Sequence, residues 1–275
     1  MLGSCTSSSQ PQKATITVSI EPQRWMLERI VGDRINVNTI LASNSDPENF
    51  EPSFSNMKML EQSICYMKMG NFGFERALVE RIHTNHPHIA IVNTSDSVPL
   101  IVEHNHEHCP GGHEHGVDPH VWNSAKNAKI IARNMYESVI KLDSIHSDYY
   151  KHNYNLLLQR IDSVDSICSH LLHHAKGNAF VVWHPSLSYF ANDYELEQIA
   201  IGADGKELSI NDTRHVINHI KEHDATVFLV ENNSDAARAQ VIAAEMPNIR
   251  ISTICPLSYD WDNELIQTAT AIAEN

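Results

Sequence analysis

Residues 147–175 constrain the fold most, because they carry one helical pattern without interruption. Apolar side chains recur every three to four residues, and neither proline nor glycine breaks the pattern until Gly177. At 1.5 Å per residue, a continuous helix over this segment would be roughly 40 Å long. A helix of that length matches the size of a whole domain, so it could brace two separate lobes.

Strands alternate with helical segments on both sides of this long segment. Short β-branched and apolar runs indicate strands at 14–20, 34–41, 64–70 and 88–94, and again at 179–183, 196–202, 226–231 and 250–255. Such alternation is typical of α/β proteins with mostly parallel sheets. The sequence therefore predicts two α/β lobes, each with a mostly parallel sheet flanked by helices, joined by one long brace helix. The predicted boundaries are 14–146 for the N-terminal lobe, 147–175 for the linking helix and 176–275 for the C-terminal lobe.

The composition supports a folded protein and argues against nucleic acid as a partner. Hydrophobic residues make up 42% of the 275-residue chain and charged residues 20%, so the chain can bury a core. The formal net charge is −14, whereas nucleic-acid binding depends on Lys and Arg to neutralise phosphates. We therefore expect a soluble protein whose acidic surface favours cations.

The first thirteen residues contain a short pattern that suggests lipid attachment. Residues 2–5 read Leu-Gly-Ser-Cys, which resembles the lipobox of bacterial lipoproteins, and the polar residues up to position 13 would then form a tether. The charged and apolar parts of a signal peptide are missing before it. We expect attachment to a membrane through Cys5, since no apolar run in the chain is long enough to span one.

The five cysteines give no indication of a disulfide or of a cysteine-based metal site. Their number is odd, their spacings are wide, and no Cys-x-x-Cys pair occurs. A zinc ribbon or a thioredoxin-type motif is therefore not supported.

A histidine-rich loop at 103–116 interrupts the α/β order. The chain contains 18 histidines, and imidazole is the commonest metal ligand in proteins. We expect weak metal capture by this loop, and the alternative is a polar insertion with no metal role. The candidate ligands are His104, His106, His108, Cys109, His113 and His115.

Four further candidates lie where predicted strands end, which is where open α/β sheets bind ligands. Glu48 follows the second strand, although Glu51 or a water molecule could take its place. His120 lies in Asp-Pro-His-Val-Trp, where Pro119 restricts the backbone and the apolar residues suggest packing on the protein body. His184 ends an apolar strand, and a single histidine there is more often a hydrogen-bonded core residue.

The fourth candidate is an aspartate before the last predicted helix. Asp260 and Asp262 both precede an apolar helical pattern. Capping of that helix is the alternative to metal binding, and we predict the capping role for Asp262.

These motifs together resemble one family, the metal-specific substrate-binding proteins of bacterial ABC transporters. This is the zinc and manganese uptake group, also called cluster A-I, some members of which were first described as adhesins. The resemblance extends from Ala14 to the C-terminus. The matching stretches are DPENFEP (46–52), DPHVW (118–122), HPSLSYF (184–190) and GKELS (205–209), together with Asp260 before the final helix.

The resemblance implies a ligand set of Glu48, His120, His184 and Asp260 in a cleft between the lobes. Glu48 departs from the family pattern, which usually has histidine at this position. Two nitrogen and two oxygen ligands suit four-coordinate Zn²⁺, and Mn²⁺ or Fe²⁺ is the alternative. The histidine-rich loop favours zinc, because that insertion resembles the zinc-uptake members.

The function implied by the resemblance is metal delivery without catalysis. The chain would act as a monomer at the periplasmic or cell-envelope side of a membrane and hand zinc to an ABC permease. Two other classes remain open. A zinc hydrolase lacks support, since neither HExxH nor GxSxG occurs. An adhesin with a structural metal is the third possibility.

Overall fold

The computed structural model describes residues 13–43, 45–102, 116–175, 178–201, 210–231, 233–246 and 248–274. Its first half contains a four-stranded parallel sheet in the order β2-β1-β3-β4. Strand β1, at the centre, is buried along almost its whole length because helices cover the sheet. The elements are β1 (Thr15–Ile20), α1 (Glu21–Val31), β2 (Asn36–Leu41), α2 (Phe54–Glu61), β3 (Cys65–Lys68), α3 (Gly73–Asn85) and β4 (Ala90–Asn93).

Two helices connect this sheet with the second half of the chain. Helix α4 (Ala125–Leu142) begins at Ser124, whose side chain accepts a hydrogen bond from the backbone of Asn127. Helix α5 (Ser147–Leu171) is the long helix that the sequence predicts, although it ends four residues earlier than expected. A turn at the end of α5 causes this, because the backbone N–H of His173 bonds to the carbonyl of His170.

The second half repeats the same architecture with different residues. Its four parallel strands follow the order β6-β5-β7-β8. The elements are β5 (Ala179–Val182), α6 (Ser188–Asp193), β6 (Glu197–Ala200), α7 (Ile210–Glu222), β7 (Val227–Val230), α8 (Asn233–Ala243), β8 (Arg250–Thr253) and α9 (Trp261–Ala273). The predicted fold class is thus confirmed, with both parallel sheets and the long helix in place.

One large apolar core connects the two sheets. It runs from β1 through α4 and α5 to α9 and to one face of the second sheet, while a smaller core covers the other face of that sheet. Trp25 of α1 and Trp261 of α9 meet inside the large core with ring centroids 5.1 Å apart. The buried apolar side of α5 packs between α1, α4 and α9, so the long helix braces the halves against each other.

The described cysteines and helices relate to two expectations from the sequence, on disulfides and on membrane-spanning segments. Cys65, Cys168 and Cys255 are free thiols, whereas Cys5 and Cys109 lie outside the described residues. Burial raises the pKa of the Cys65 thiol to about 12 and that of Cys168 to about 11, so both are inert at neutral pH. No described helix is both long enough and apolar enough to cross a membrane.

Candidate metal centre

Three of the four predicted ligands converge where the two halves of the molecule meet. One ligand atom each from Glu48, His120 and His184 lies within 4.8 Å of the other two. The Nε2 atoms of the two histidines are 3.2 Å apart, and Nε2 of His184 is 3.6 Å from Oε1 of Glu48. A tetrahedral zinc ion with bonds of about 2.0–2.2 Å separates its ligand atoms by roughly 3.3 Å. The separations from His184 to His120 and to Glu48 are therefore close to those that one metal ion would require.

His120 is held in one orientation by Asp118 of the same Asp-Pro-His motif. The imidazole is only 4% exposed, and its Nδ1 atom lies 2.8 Å from Oδ1 of Asp118. The same carboxylate oxygen accepts the backbone N–H of His120. With the Nδ1 proton donated to a carboxylate, the Nε2 lone pair points at the other ligands, as in the carboxylate–histidine–zinc arrangement of metalloproteins.

Asp118 remains an anion even though it is buried. Burial acts to raise the pKa of Asp118, but the hydrogen bonds and charge of His120 outweigh burial and lower it below the ordinary value. An ionised Asp118 also adds negative charge beside the ligand group, which favours a bound cation.

The residues after His120 attach this segment to the C-terminal half. The indole Nε1 of Trp122 donates to the carbonyl of Pro256, and that of Trp261 donates to the carbonyl of Trp122, both at 2.8 Å. The side-chain amide of Asn123 donates to the carbonyl of Ser186. These buried bonds fix the position of His120 relative to the second sheet.

His184 follows β5, at the carboxyl edge of the second sheet. Burial lowers the pKa of His184, and the facing imidazole of His120 lowers it further, while the carboxylate of Glu231 acts in the opposite direction. The neutral imidazole, which is the metal-binding form, is therefore favoured at neutral pH. Glu231 follows β7 and accepts a hydrogen bond from the Ser186 hydroxyl, two residues after His184.

The tyrosine of the His-Pro-Ser-Leu-Ser-Tyr-Phe stretch connects the segments on either side of the histidine-rich loop. Its hydroxyl donates to the carbonyl of Asp118 and accepts the backbone N–H of Ile101. Tyr189 of α6 thereby holds the chain next to His120. This contact explains why a tyrosine belongs to the motif in this chain.

Glu48 lies in the loop after β2, and Asp46 shapes that loop. The Asp46 carboxylate accepts the backbone N–H of Glu48 and the side-chain amide of Asn49. Burial acts to raise the pKa of Asp46, but these hydrogen bonds prevail and lower it. Glu48 is thus presented towards His184, while the alternative ligand Glu51 is exposed and lies outside the group of three.

Asp260 is not brought into the group of three, and the role predicted for Asp262 is wrong. Asp260 is the exposed residue immediately before α9, and its Oδ2 accepts the side-chain amide of Asn263. The helix begins at Trp261, so Asp262 lies inside its first turn and cannot cap it. There Asp262 is 5% exposed and pairs with Nε of Arg160 at 2.6 Å. Packing against α5 therefore decides the role of Asp262.

Several predicted site residues lie outside the described part of the chain. These are Cys5, the GKELS stretch at 205–209, and the loop ligands His104, His106, His108, Cys109, His113 and His115. The described residues flanking the loop form a single antiparallel bridge between Val102 and Val117. The loop therefore begins and ends at one point of the structure, close to Asp118.

Two residues that act on the histidine ligands were not predicted from the sequence. Asp118 stands two positions before His120 in the same motif, but only the hydrogen bond reveals that it orients the imidazole. Glu231 directly follows the apolar strand β7, so the strand-end rule that selected His184 applied to it as well.

Two parallel α/β sheets, a long connecting helix and a histidine–carboxylate group between the halves define a two-lobed metal-binding protein. The family model described as "ZnuA: Zinc-uptake complex component A periplasmic" matches residues 16–268. The chain belongs to this family.

Known proteins resemble the chain over nearly its full length. A putative metal-binding protein of Chlamydia muridarum is 28% identical over 96% of this chain and 92% of its own length. A crystal structure of ZnuA shares 28% identity with a TM-score of 0.86, covering 95% of this chain and 98% of that one. The crystal structure of a ZnuA deletion mutant with zinc bound is 29% identical, with a TM-score of 0.84, and the match covers 95% of this chain and 97% of that one.

Proposed function

We propose that this protein binds zinc with high affinity in the cleft between its lobes and delivers it to an ABC transporter for uptake. The observation that carries the proposal is the convergence of His120, His184 and Glu48 at the junction of the two sheets. Membership of the zinc-uptake family supports the choice of process.

Zinc is the proposed cargo, with manganese as the alternative. Two imidazole nitrogens and a carboxylate oxygen match the ligands of four-coordinate zinc. Imidazole suits zinc better than it suits the hard cation Mn²⁺, whereas a carboxylate at Glu48 makes the group more tolerant of manganese. The zinc-bound ZnuA relative favours zinc.

The fourth ligand is proposed to be Asp260. Its carboxylate is exposed and lies at the start of α9, where Oδ2 accepts a hydrogen bond from the side-chain amide of Asn263. A rotation of this side chain on metal binding would replace that hydrogen bond by a metal bond. A water molecule would complete the coordination if Asp260 stayed where it is.

Delivery requires an extracytoplasmic position and a permease partner. The family is described as periplasmic, which supports placing this chain outside the cytoplasmic membrane. We propose that it acts as a lipid-anchored monomer, attached through Cys5, without catalysing any reaction. Residues 14–146, 147–175 and 176–275 would serve as lobe, linking helix and lobe.

The histidine-rich loop is proposed to collect zinc near the cleft. Its ends meet at the bridge between Val102 and Val117, and Asp118 follows at once. Zinc held weakly by the loop would therefore be released close to His120. The loop ligands proposed are the five histidines and Cys109.

Calorimetric titration of metal-stripped protein with Zn²⁺ and Mn²⁺ tests this function. The full chain should show one tight zinc site and several weaker ones. His120→Ala should remove the tight site, and deletion of residues 103–116 should remove weaker sites and leave the tight one. If the deletion removed the tight site while His120→Ala retained it, the assignment of the cleft would be wrong.

An assay of hydrolysis separates transport from the rival zinc hydrolase. The zinc-loaded protein should not cleave model esters, peptides or phosphoesters. Metal-dependent turnover that disappears in His120→Ala would favour a hydrolase, because a catalytic zinc activates a bound water molecule. Binding of a host protein irrespective of zinc would instead favour an adhesin with a structural metal.

A further inference from the structure

A second group of metal-ligand side chains lies on the C-terminal half, far from the cleft. Glu197, His219 and His223 each offer one ligand atom within 4.8 Å of the other two. Nδ1 of His223 is 2.7 Å from Oε2 of Glu197, and Nε2 of His219 is 3.7 Å from Oε1. Within the described part of the chain, this group and the cleft group are the two sets of three side chains close enough to share a metal ion.

The two histidines share one face at the end of α7. The backbone N–H of His223 bonds to the carbonyl of His219, so the helical turn continues through both residues. A spacing of four residues places the two side chains one above the other, and their ring centroids are 4.3 Å apart. A pair of histidines at this spacing can bind a single ion with both rings.

A neighbouring, buried face of α7 anchors the pair against the sheet. Ile217 and Ile220 are buried in the smaller apolar core, so α7 cannot easily turn away. Glu197 opens the edge strand β6, where its backbone N–H bonds to the carbonyl of Asn178. The carboxylate and the imidazoles therefore come from two elements whose separation is fixed by packing.

This group and the cleft group lie at opposite edges of the same parallel sheet. Glu197 is the first residue of β6, at the amino edge, whereas His184 follows the last residue of β5, at the carboxyl edge. A four-residue strand is about 13 Å long. One metal ion cannot contact both groups, so the second group would bind a metal ion of its own.

The surroundings favour a cation. The last turn of a helix carries partial negative charge from its free carbonyl groups, and His219 lies in that turn. The side chains of Glu197, His219 and His223 are 40%, 48% and 35% exposed, so an ion could enter from solvent. The acidic chain, with a net charge of −14, adds a general attraction.

We propose that Glu197, His219 and His223 form a second, solvent-accessible site for zinc or a similar borderline divalent cation. Two nitrogens and one carboxylate oxygen supply three of the four positions of tetrahedral zinc, and water fills the fourth. Ni²⁺ and Cu²⁺ would bind the same ligands. The proposal does not rest on the function of the cleft.

Equilibrium dialysis of the full chain against Zn²⁺ counts the sites, and variants assign them. His219→Ala combined with His223→Ala should bind one zinc ion fewer than the parent protein. His170→Ala combined with His174→Ala is the matched control, because these exposed histidines have the same spacing but no third ligand among the described residues. That control should bind as many ions as the parent.

Two further measurements make the result specific to this site. Glu197→Gln should weaken the same site at least about tenfold, since even the loss of a residue that only orients a ligand costs about 10–100-fold in metal affinity. Anomalous diffraction at the zinc edge should show a peak between these three residues, which His120→Ala leaves in place. Unchanged zinc stoichiometry in the His219/His223 variant, or absence of the peak, would overturn the proposal.

Discussion

His120 and His184 face each other with their Nε2 atoms 3.2 Å apart, although 64 residues separate them in the chain. One follows the loop before α4, and the other follows β5 of the second sheet. Two imidazoles at this distance cannot both carry a proton on the facing nitrogens without repulsion. A metal ion between them would use both lone pairs.

Removal of the Asp118 carboxylate should weaken zinc binding without removing a ligand. Asp118→Asn retains the shape but loses the charge that orients His120, so we expect zinc affinity to fall about 10–100-fold. Competition with a zinc chelator measures this change. Asp143→Asn is the control, because Asp143 bonds to Nδ1 of His146 at 2.7 Å outside the cleft. Equal affinities in both variants would contradict the orienting role.

The residue at position 48 should set the preference between zinc and manganese. Glu48→His replaces an oxygen ligand by nitrogen, so we expect the ratio of zinc to manganese affinity to rise by about tenfold or more. Glu51→His is the matched control, since Glu51 lies in the same loop but outside the group of three. Calorimetric titration with both metals gives the ratio. A shift only in the Glu51 variant would move the ligand position to Glu51.

Zinc affinity should fall as the pH is lowered, and the position of the fall follows from His184. Protons compete with metal for imidazole nitrogen, so acid weakens binding. Because burial and then His120 lower the pKa of His184, this ligand should protonate below the ordinary histidine range near pH 6.5. Titrations between pH 8 and pH 5 should show little loss above about pH 6.5 and a steep loss below it. A steep loss of affinity already above the ordinary histidine range would contradict the lowered pKa of His184.

The indole of Trp122 should contribute to stability as well as to the position of His120. Trp122→Phe removes the hydrogen bond to the Pro256 carbonyl and leaves a small cavity, so we expect a loss of about 1–3 kcal/mol in the free energy of unfolding. Chemical denaturation measures it. Trp183→Phe is the control, since Trp183 is only partly buried beside Phe228 and should cost less. A larger loss of unfolding free energy in Trp183→Phe would contradict the stabilising role of the Trp122 indole.

The strand-end positions show how far sequence reasoning reaches. Each parallel strand is a local apolar run, so the eight strands followed from the pattern, and Glu48 and His184 lie after the ends of β2 and β5. His120 follows the histidine-rich loop and not a strand, so the strand-end rule does not account for its position. Asp260 shows the limit, because its distance from the other ligands depends on how α9 packs on α5. Asp262 was predicted to cap α9 because it stands before an apolar helical pattern. Its pairing with Arg160 joins residues 102 positions apart, which a local pattern does not reveal.

The sequence alone determined the α/β class, the long helix and the candidate metal-ligand residues. These follow from local periodicity and side-chain chemistry. Only the tertiary structure decided that His120 and His184 meet, that Asp118 orients one of them, and that Glu197 joins His219 and His223. Such contacts depend on the packing of distant elements around a shared core, and local patterns carry no information about that packing.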